Sequence, residues 1–148
     1  QDISADDIAT VEFDGGSARV IAGNYLGTEG AAKAQIPIRL LDVRLDPGAA
    51  WRIDLPAGND LFMCVYEGAA QGIDREGGRH DIAKPAVALF GGEGDVVVAA
   101  GDEGADILYC EGQPIQEPVA KYGPFVMNTR EELQQAVDDF NAGTLATG

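Results

Sequence analysis

Leu41, Val43 and Leu45 alternate with Asp42, Arg44 and Asp46, and Trp51, Ile53 and Leu55 alternate with Arg52 and Asp54. A period of two is that of a strand with one buried face. Asp46-Pro47-Gly48 lies between the runs, with Pro presetting φ and Gly tolerating a positive one. Residues 39–55 therefore predict a hairpin. Leu61 to Tyr66 is a continuous apolar run, which predicts a strand buried on both faces and ended by Glu67-Gly68. Ala18 to Ala22 reads as a short strand, and further strands are expected near 71–75, 86–90, 95–100 and 105–110. Gly72, Gly77-Gly78, Gly91-Gly92, Gly94, Gly101 and Gly104 punctuate them. Short strands with turn signals at this spacing predict an all-β sandwich or barrel.

One helix is expected. Thr129-Arg130-Glu131-Glu132 has capping-box spacing. Leu133, Ala136, Val137 and Phe140 follow on one apolar stripe, and Gly143 is placed to end it. Residues 1–16 are polar and acidic and read as a leading arm.

Composition supports a globular chain rich in turns, with 20 Gly and 7 Pro in 148 residues. Charge narrows its partners. Twenty-five acids against ten cations give a net charge of −15, which disfavours nucleic acid and anionic membrane surfaces. Such a surface serves solubility, or attracts a basic partner protein. No apolar run approaches the ~18 residues of a membrane span, and no secretory pattern is visible, so a cytoplasmic location is expected. The chain opens on Gln1 and its first Met is Met63, as for a piece of a longer protein or one relieved of a tag or leader. Cys64 and Cys110 sit in apolar runs and read as reduced thiols.

Catalytic constellations are sparse. The single His, His80, lies in a polar loop, and one imidazole cannot assemble a His-rich metal site. Gly91-Gly92-Glu93-Gly94 reads as a turn, because Glu93 would repel phosphate. No catalytic or cofactor-binding residue is assigned.

The most distinctive segment runs Glu117-Pro118-Val119-Ala120-Lys121-Tyr122-Gly123-Pro124-Phe125-Val126-Met127-Asn128-Thr129. Gly112-Gln113-Pro114 precedes it and a Glu-Glu helix follows. This stretch closely resembles the end of pirin-family proteins, and Leu40-Leu41-Asp42-Val43 and Leu89-Phe90-Gly91 resemble that family's C-terminal half. The resemblance implies an antiparallel cupin-type jelly-roll barrel with one C-terminal α-helix over residues 18–148. Residues 1–17 would be a leading arm or inter-barrel linker. Pro118, Pro124 and Gly123 would set the path of the signature. Tyr122, Phe125, Val126 and Met127 would pack on a barrel, and Asn128 or Thr129 would cap the helix.

In this family the N-terminal barrel holds a metal, usually iron, on three His and one Glu. Some members are described as quercetin 2,3-dioxygenases, others as nuclear co-regulators. The C-terminal barrel normally holds none. Laying Glu67-Gly68 on the end of the metal-binding pattern puts its ligand slots at Asp54, Pro56 and Asp60. Pro offers no donor, and the imidazoles that suit ferrous iron are gone. The resemblance thus implies a non-catalytic half, with iron or another divalent metal only in a separate N-terminal barrel. The expected partner is that barrel, or a second copy of this chain. The alternative is a protein-interaction or regulatory module without enzymatic activity.

Overall fold

The structure is a computed structural model and describes residues 2–74, 76–84, 86–90 and 94–145. The chain forms two compact units that meet in sequence between Pro114 and Ile115. The first unit is all-β after a one-turn 3-10 helix at Ala5–Asp7. Its strands are β1 (Thr10–Phe13), β2 (Gly16–Ala22), β3 (Asn24–Tyr25), β4 (Thr28–Glu29), β5 (Ile38–Leu45), β6 (Ala50–Leu55), β7 (Asp60–Ile73), β8 (Arg79–Ala83), β9 (Ala86–Phe90) and β10 (Gly94–Gly112). The second unit holds β11 (Ala120–Tyr122), β12 (Phe125–Met127) and α1 (Arg130–Ala142). Among the described residues no helix is long and apolar enough to cross a membrane.

Two long strands organise the first unit. β10 pairs with β6 through Gly94–Ala99 and with β5 through Ala105–Gly112. β7 pairs with β9 through Leu61–Val65 and with β8 through Ala69–Ile73. Each strand bends midway and passes from one layer to the other. One layer is β1-β2-β5-β10-β7-β9 and the other is β6-β10-β7-β8, all antiparallel. The path of hydrogen-bonded strands is open, so the architecture is a jelly-roll sandwich whose sheet does not close on itself.

The expected hairpin over 39–55 is corrected here. β5 and β6 do not pair with each other; each pairs with a different half of β10. Their apolar faces meet across the core, since Leu41, Val43 and Leu45 join the same buried cluster as Trp51, Ile53 and Leu55. Alternation reports that a strand has a buried face, not which neighbour supplies its hydrogen bonds.

The strand breaks expected at Glu67-Gly68 and between 100 and 105 are corners within single strands. Gly68 has φ +69°, and a Cβ there would lie 2.2 Å from the Gly104 carbonyl oxygen. Gly104 has φ +84°, and its Cβ would lie 2.6 Å from the Leu45 oxygen. Backbone meets backbone where both strands turn, and only glycine fits. Part of the acidic leading arm also forms structure: β1 pairs with β2, and Phe13 stacks on Trp51 at 6.2 Å. β7 is not buried on both faces, because Leu61, Met63 and Val65 are buried while Phe62 and Tyr66 are 39% and 43% exposed.

In the second unit Thr129, not Asn128, is the N-cap. Its hydroxyl accepts from the Glu132 amide, and the Glu132 carboxylate accepts from the Thr129 amide. Gly143 ends the helix at φ +73°. Leu133 and Ala136 are buried, whereas Phe140 is exposed and makes an edge contact with Phe125.

Candidate functional site

One end of the sandwich carries a cleft of about 280 Å³ lined by Asn24, Arg39, Asp54, Pro56, Asn59 and Glu111, with Pro37 and Ile38. Its floor follows from strand phase. Leu41, Val43 and Leu45 point inward on β5, so Arg39 does too. Ile107 and Tyr109 point inward on β10, so Glu111 does too. Arg39 and Glu111 face each other in the β5–β10 register. An ion pair thereby lies at the mouth of an apolar interior, with Glu111 only 4% exposed.

Every carboxylate oxygen of Glu111 is engaged. Arg39 Nε donates to Oε2 at 2.8 Å, Asn59 Nδ2 donates to Oε1 at 2.7 Å, and Arg39 Nη2 and the Tyr109 hydroxyl also donate to Oε2. Arg39 Nη2 further reaches the Asp54 carbonyl at 2.8 Å, and the guanidinium lies 5.5 Å from the Tyr109 ring centre. Below, Tyr109 meets Trp51 edge-on, and Trp51 Nε1 donates to the Tyr25 hydroxyl at 2.9 Å. The pair therefore ties β5, β10 and the β6–β7 turn together above the aromatic core.

The electrostatics follow. Burial acts to lower the Arg39 pKa, but hydrogen bonding to Glu111 and neighbouring negative charge outweigh it and raise the value. Burial, then the hydrogen bond to Glu111, pushes the Tyr109 phenol up. At neutral pH the cleft is lined by a fixed guanidinium, and the buried Tyr109 phenol bonded to Glu111 is protonated.

Of the three expected ligand slots, Asp54 and Pro56 line this cleft and Asp60 does not. Asp54 and Asp60 are exposed, and among the described residues no three His, Cys, Asp or Glu gather as a metal site. The donor set does not fit a transition metal: one slot lacks a donor, Asp60 does not share the cleft with the other two, and the Arg39 guanidinium lines that cleft beside them. Arg39, Tyr109, Asn59 and Glu111 were not legible as candidates by motif. The signal that could have found the ion pair is a charge in inward phase on each of two apolar strands.

The signature residues lie in the second unit. Asn128 Nδ2 donates to Glu117 Oε2 at 2.6 Å, joining the two ends of the stretch. Tyr122 and Phe125 flank a two-residue turn at Gly123-Pro124, and Gly123 has φ +58°, as short hairpins require. Met127 pairs in register with Ala120. Tyr122 and Val126 are 69% and 55% exposed. His80 is exposed and pairs with Asp74 at 2.9 Å, which helps hold the Asp74 pKa low. Of the glycine-rich turn, Gly91, Gly92 and Glu93 lie outside the described residues.

Cys64 and Cys110 are free. Burial, reinforced by the Glu111 charge, raises the Cys110 pKa. Its thiolate fraction at mildly alkaline pH is therefore smaller than that of a free cysteine. Titration of denatured, unreduced protein should count both thiols. In the native protein, alkylation of Cys110 followed against pH should inflect above the ordinary thiol value of about 8.5; an inflection at or below it would contradict this environment.

The chain matches the pirin C-terminal cupin domain over residues 40–146. It is 33% identical to human pirin over 142 residues, covering 95% of this chain and 48% of that protein. It is 34% identical over 155 residues to a proposed quercetin 2,3-dioxygenase of Pseudomonas aeruginosa, covering 99% of this chain and 52% of that one. A crystal structure of quercetin 2,3-dioxygenase from Acinetobacter baumannii superposes with a TM-score of 0.84 at 34% identity, over 99% of this chain and 50% of that one. The chain spans about half the length of the curated relatives it matches. By sequence, by jelly-roll topology and by the segment from Glu117 to Thr129, the chain belongs to the pirin family and corresponds to its C-terminal cupin domain.

Proposed function

We propose that this chain is the non-catalytic cupin domain of a pirin-like protein whose intact form is a metal-dependent, quercetin 2,3-dioxygenase-like oxygenase. In this reading it supports an N-terminal barrel that carries the metal. The observation that carries the proposal is the mouth of the sandwich. The Glu111 carboxylate is saturated by Arg39, Tyr109 and Asn59, and the ligand slots hold Asp54, Pro56 and Asp60. Flavonol oxygenation needs a centre able to handle electrons and dioxygen. Carboxylates can move protons and stabilise charge but provide no such centre. The names of the relatives supply the substrate class, and their doubled length supplies room for a metal-bearing half.

A second reading, a protein-interaction or regulatory module, is favoured by exposed apolar side chains on the C-terminal unit: Ile115, Val119, Tyr122, Val126 and Phe140. One experiment separates the two. The chain is incubated with iron, desalted, analysed for metal, and assayed for flavonol loss in air and under anaerobic conditions. The expected results are substoichiometric metal and no oxygen-dependent turnover above an Asp54→Ala/Asp60→Ala variant. Turnover well above that variant would overturn the non-catalytic assignment. A longer protein with a His-rich upstream barrel should turn over with the same metal. Inactivity there would favour the interaction module.

A further inference from the structure

β7 and β8 carry inward positions in register: Ala70 lies opposite Ile82, and Gly72 opposite His80. Ala70, Gly72 and Ile82 are buried, so His80 stands in inward phase at the open end of this column. Across the interior, Ala86, Ala88 and Phe90 are the partly buried positions of β9. Most of these facing residues are small. A Cβ on Gly72 would meet the Phe90 ring at 3.4 Å, but Ala86 and Ala88 supply only methyl groups. The two layers therefore leave space between them at this end. The result is a cavity of about 420 Å³ whose lining includes Gly72, Ile82, Ala88 and Phe90, together with the exposed Asp74 and His80. Small-molecule sites have this make-up, an apolar lining with a few placed polar groups.

The polar group is oriented. Asp74 Oδ1 accepts from the amides of Gly78 at 2.7 Å and Glu76 at 3.0 Å, and Oδ2 lies 2.9 Å from His80 Nε2. The His80 contact, then these amides, hold the Asp74 carboxyl below its ordinary pKa. A carboxylate only accepts, so Nε2 carries the proton and neutral His80 keeps Nδ1 as an acceptor. An apolar cavity with one oriented acceptor suits an apolar ligand with one donor. Asp74 and Asp81 in the lining, and a net charge of −15, disfavour an anion. An ammonium would set its charge against apolar walls.

We propose that this cavity binds a small uncharged aromatic molecule carrying one N–H or O–H donor. Its ring takes the apolar space beside Phe90, where aromatic contact is favourable, and its donor bonds His80 Nδ1. The cavity shares no lining residue with the Arg39–Glu111 cleft. The proposal goes beyond the non-catalytic reading and does not rest on it, since binding is read without iron or dioxygen.

The test titrates indole and N-methylindole, which differ only in the donor, into the isotope-labelled chain and follows amide chemical shifts. Indole is expected to bind saturably and to move the amides of Gly72, Ala88 and Phe90. N-methylindole should bind about fivefold more weakly, the worth of one net hydrogen bond. His80→Ala should erase that difference. Its thermal melt should stay close to wild type, since the His80 side chain is 70% exposed. Ala88→Leu puts bulk into the cavity and should weaken both ligands about tenfold. No saturable shift from indole would overturn the proposal. So would equal affinity for the two ligands in the wild type, a difference that survives His80→Ala, or binding indifferent to Ala88→Leu. Should Ala88→Leu not fold, the two ligands on the wild type and on His80→Ala decide.

Discussion

Replacing Glu111 by Gln should destabilise this protein by about 3–5 kcal/mol, the usual cost of breaking a buried ion pair from one side. Glu111 is 4% exposed and Arg39, its partner, is largely buried. The amide keeps the shape of the side chain but removes the charge. Arg39 stays protonated, since a guanidinium does not lose its proton in proteins, and its positive charge is left without a counter-ion. An amide nitrogen would also confront the donors of Arg39, Tyr109 or Asn59. At this chain length the loss corresponds to roughly 6–20 °C in melting temperature. The double variant Arg39→Met/Glu111→Leu should recover most of it, because removing both charges removes the desolvation cost with them. Arg52→Ala, which breaks an exposed pair with Asp95, should cost less than about 1 kcal/mol. Thermal and urea melts of the three variants test this, and a Glu111→Gln protein within about 1 kcal/mol of wild type would remove the pair as a structural element.

Gly68→Ala should prevent the native fold from forming at ordinary growth temperature, while Gly58→Ala should not. Both glycines have positive φ, +69° and +84°. A Cβ at Gly58 meets nothing within 4 Å, whereas one at Gly68 would sit 2.2 Å from the Gly104 carbonyl oxygen. The positive φ alone costs about 1–3 kcal/mol for a residue with a side chain. At Gly68 a collision between backbone segments adds to this, and neither β7 nor β10 can retreat without breaking its pairing with the other. Soluble yield, far-UV circular dichroism and melting temperature of the two variants measure the difference. Equal behaviour would mean that the corner tolerates a side chain and that conformation alone matters at both positions.

The elements themselves were legible. The alternation in 41–45 and 51–55, the short run at 18–22 and the Thr129 capping box correspond to β5, β6, β2 and α1. These are local signals, set by side-chain periodicity and by bonds between neighbours in the chain. The β3–β4 hairpin was not legible, because Leu26 occupies a positive-φ turn position, +48°, where Gly or Asn would have announced it. The family was legible because the stretch from Glu117 to Thr129 combines a tight turn, a cap and a Glu117–Asn128 hydrogen bond in a few residues, each demanding a particular side chain.

What only the tertiary structure decided is long-range. Pairing was one such decision: β5 and β6 look like hairpin partners along the chain, yet each pairs with β10 because the hydrophobic core is best closed by setting their apolar faces opposite each other. The continuity of β7 and β10 was another, since Gly68 and Gly104 end a strand only when no second layer waits beyond the bend. The third was the site. Arg39, Tyr109 and Glu111 are up to 72 residues apart, and no local pattern joins them. Inward phase could flag Arg39 and Glu111 singly, but only the β5–β10 register puts them together and turns two unfavourable buried charges into one satisfied pair.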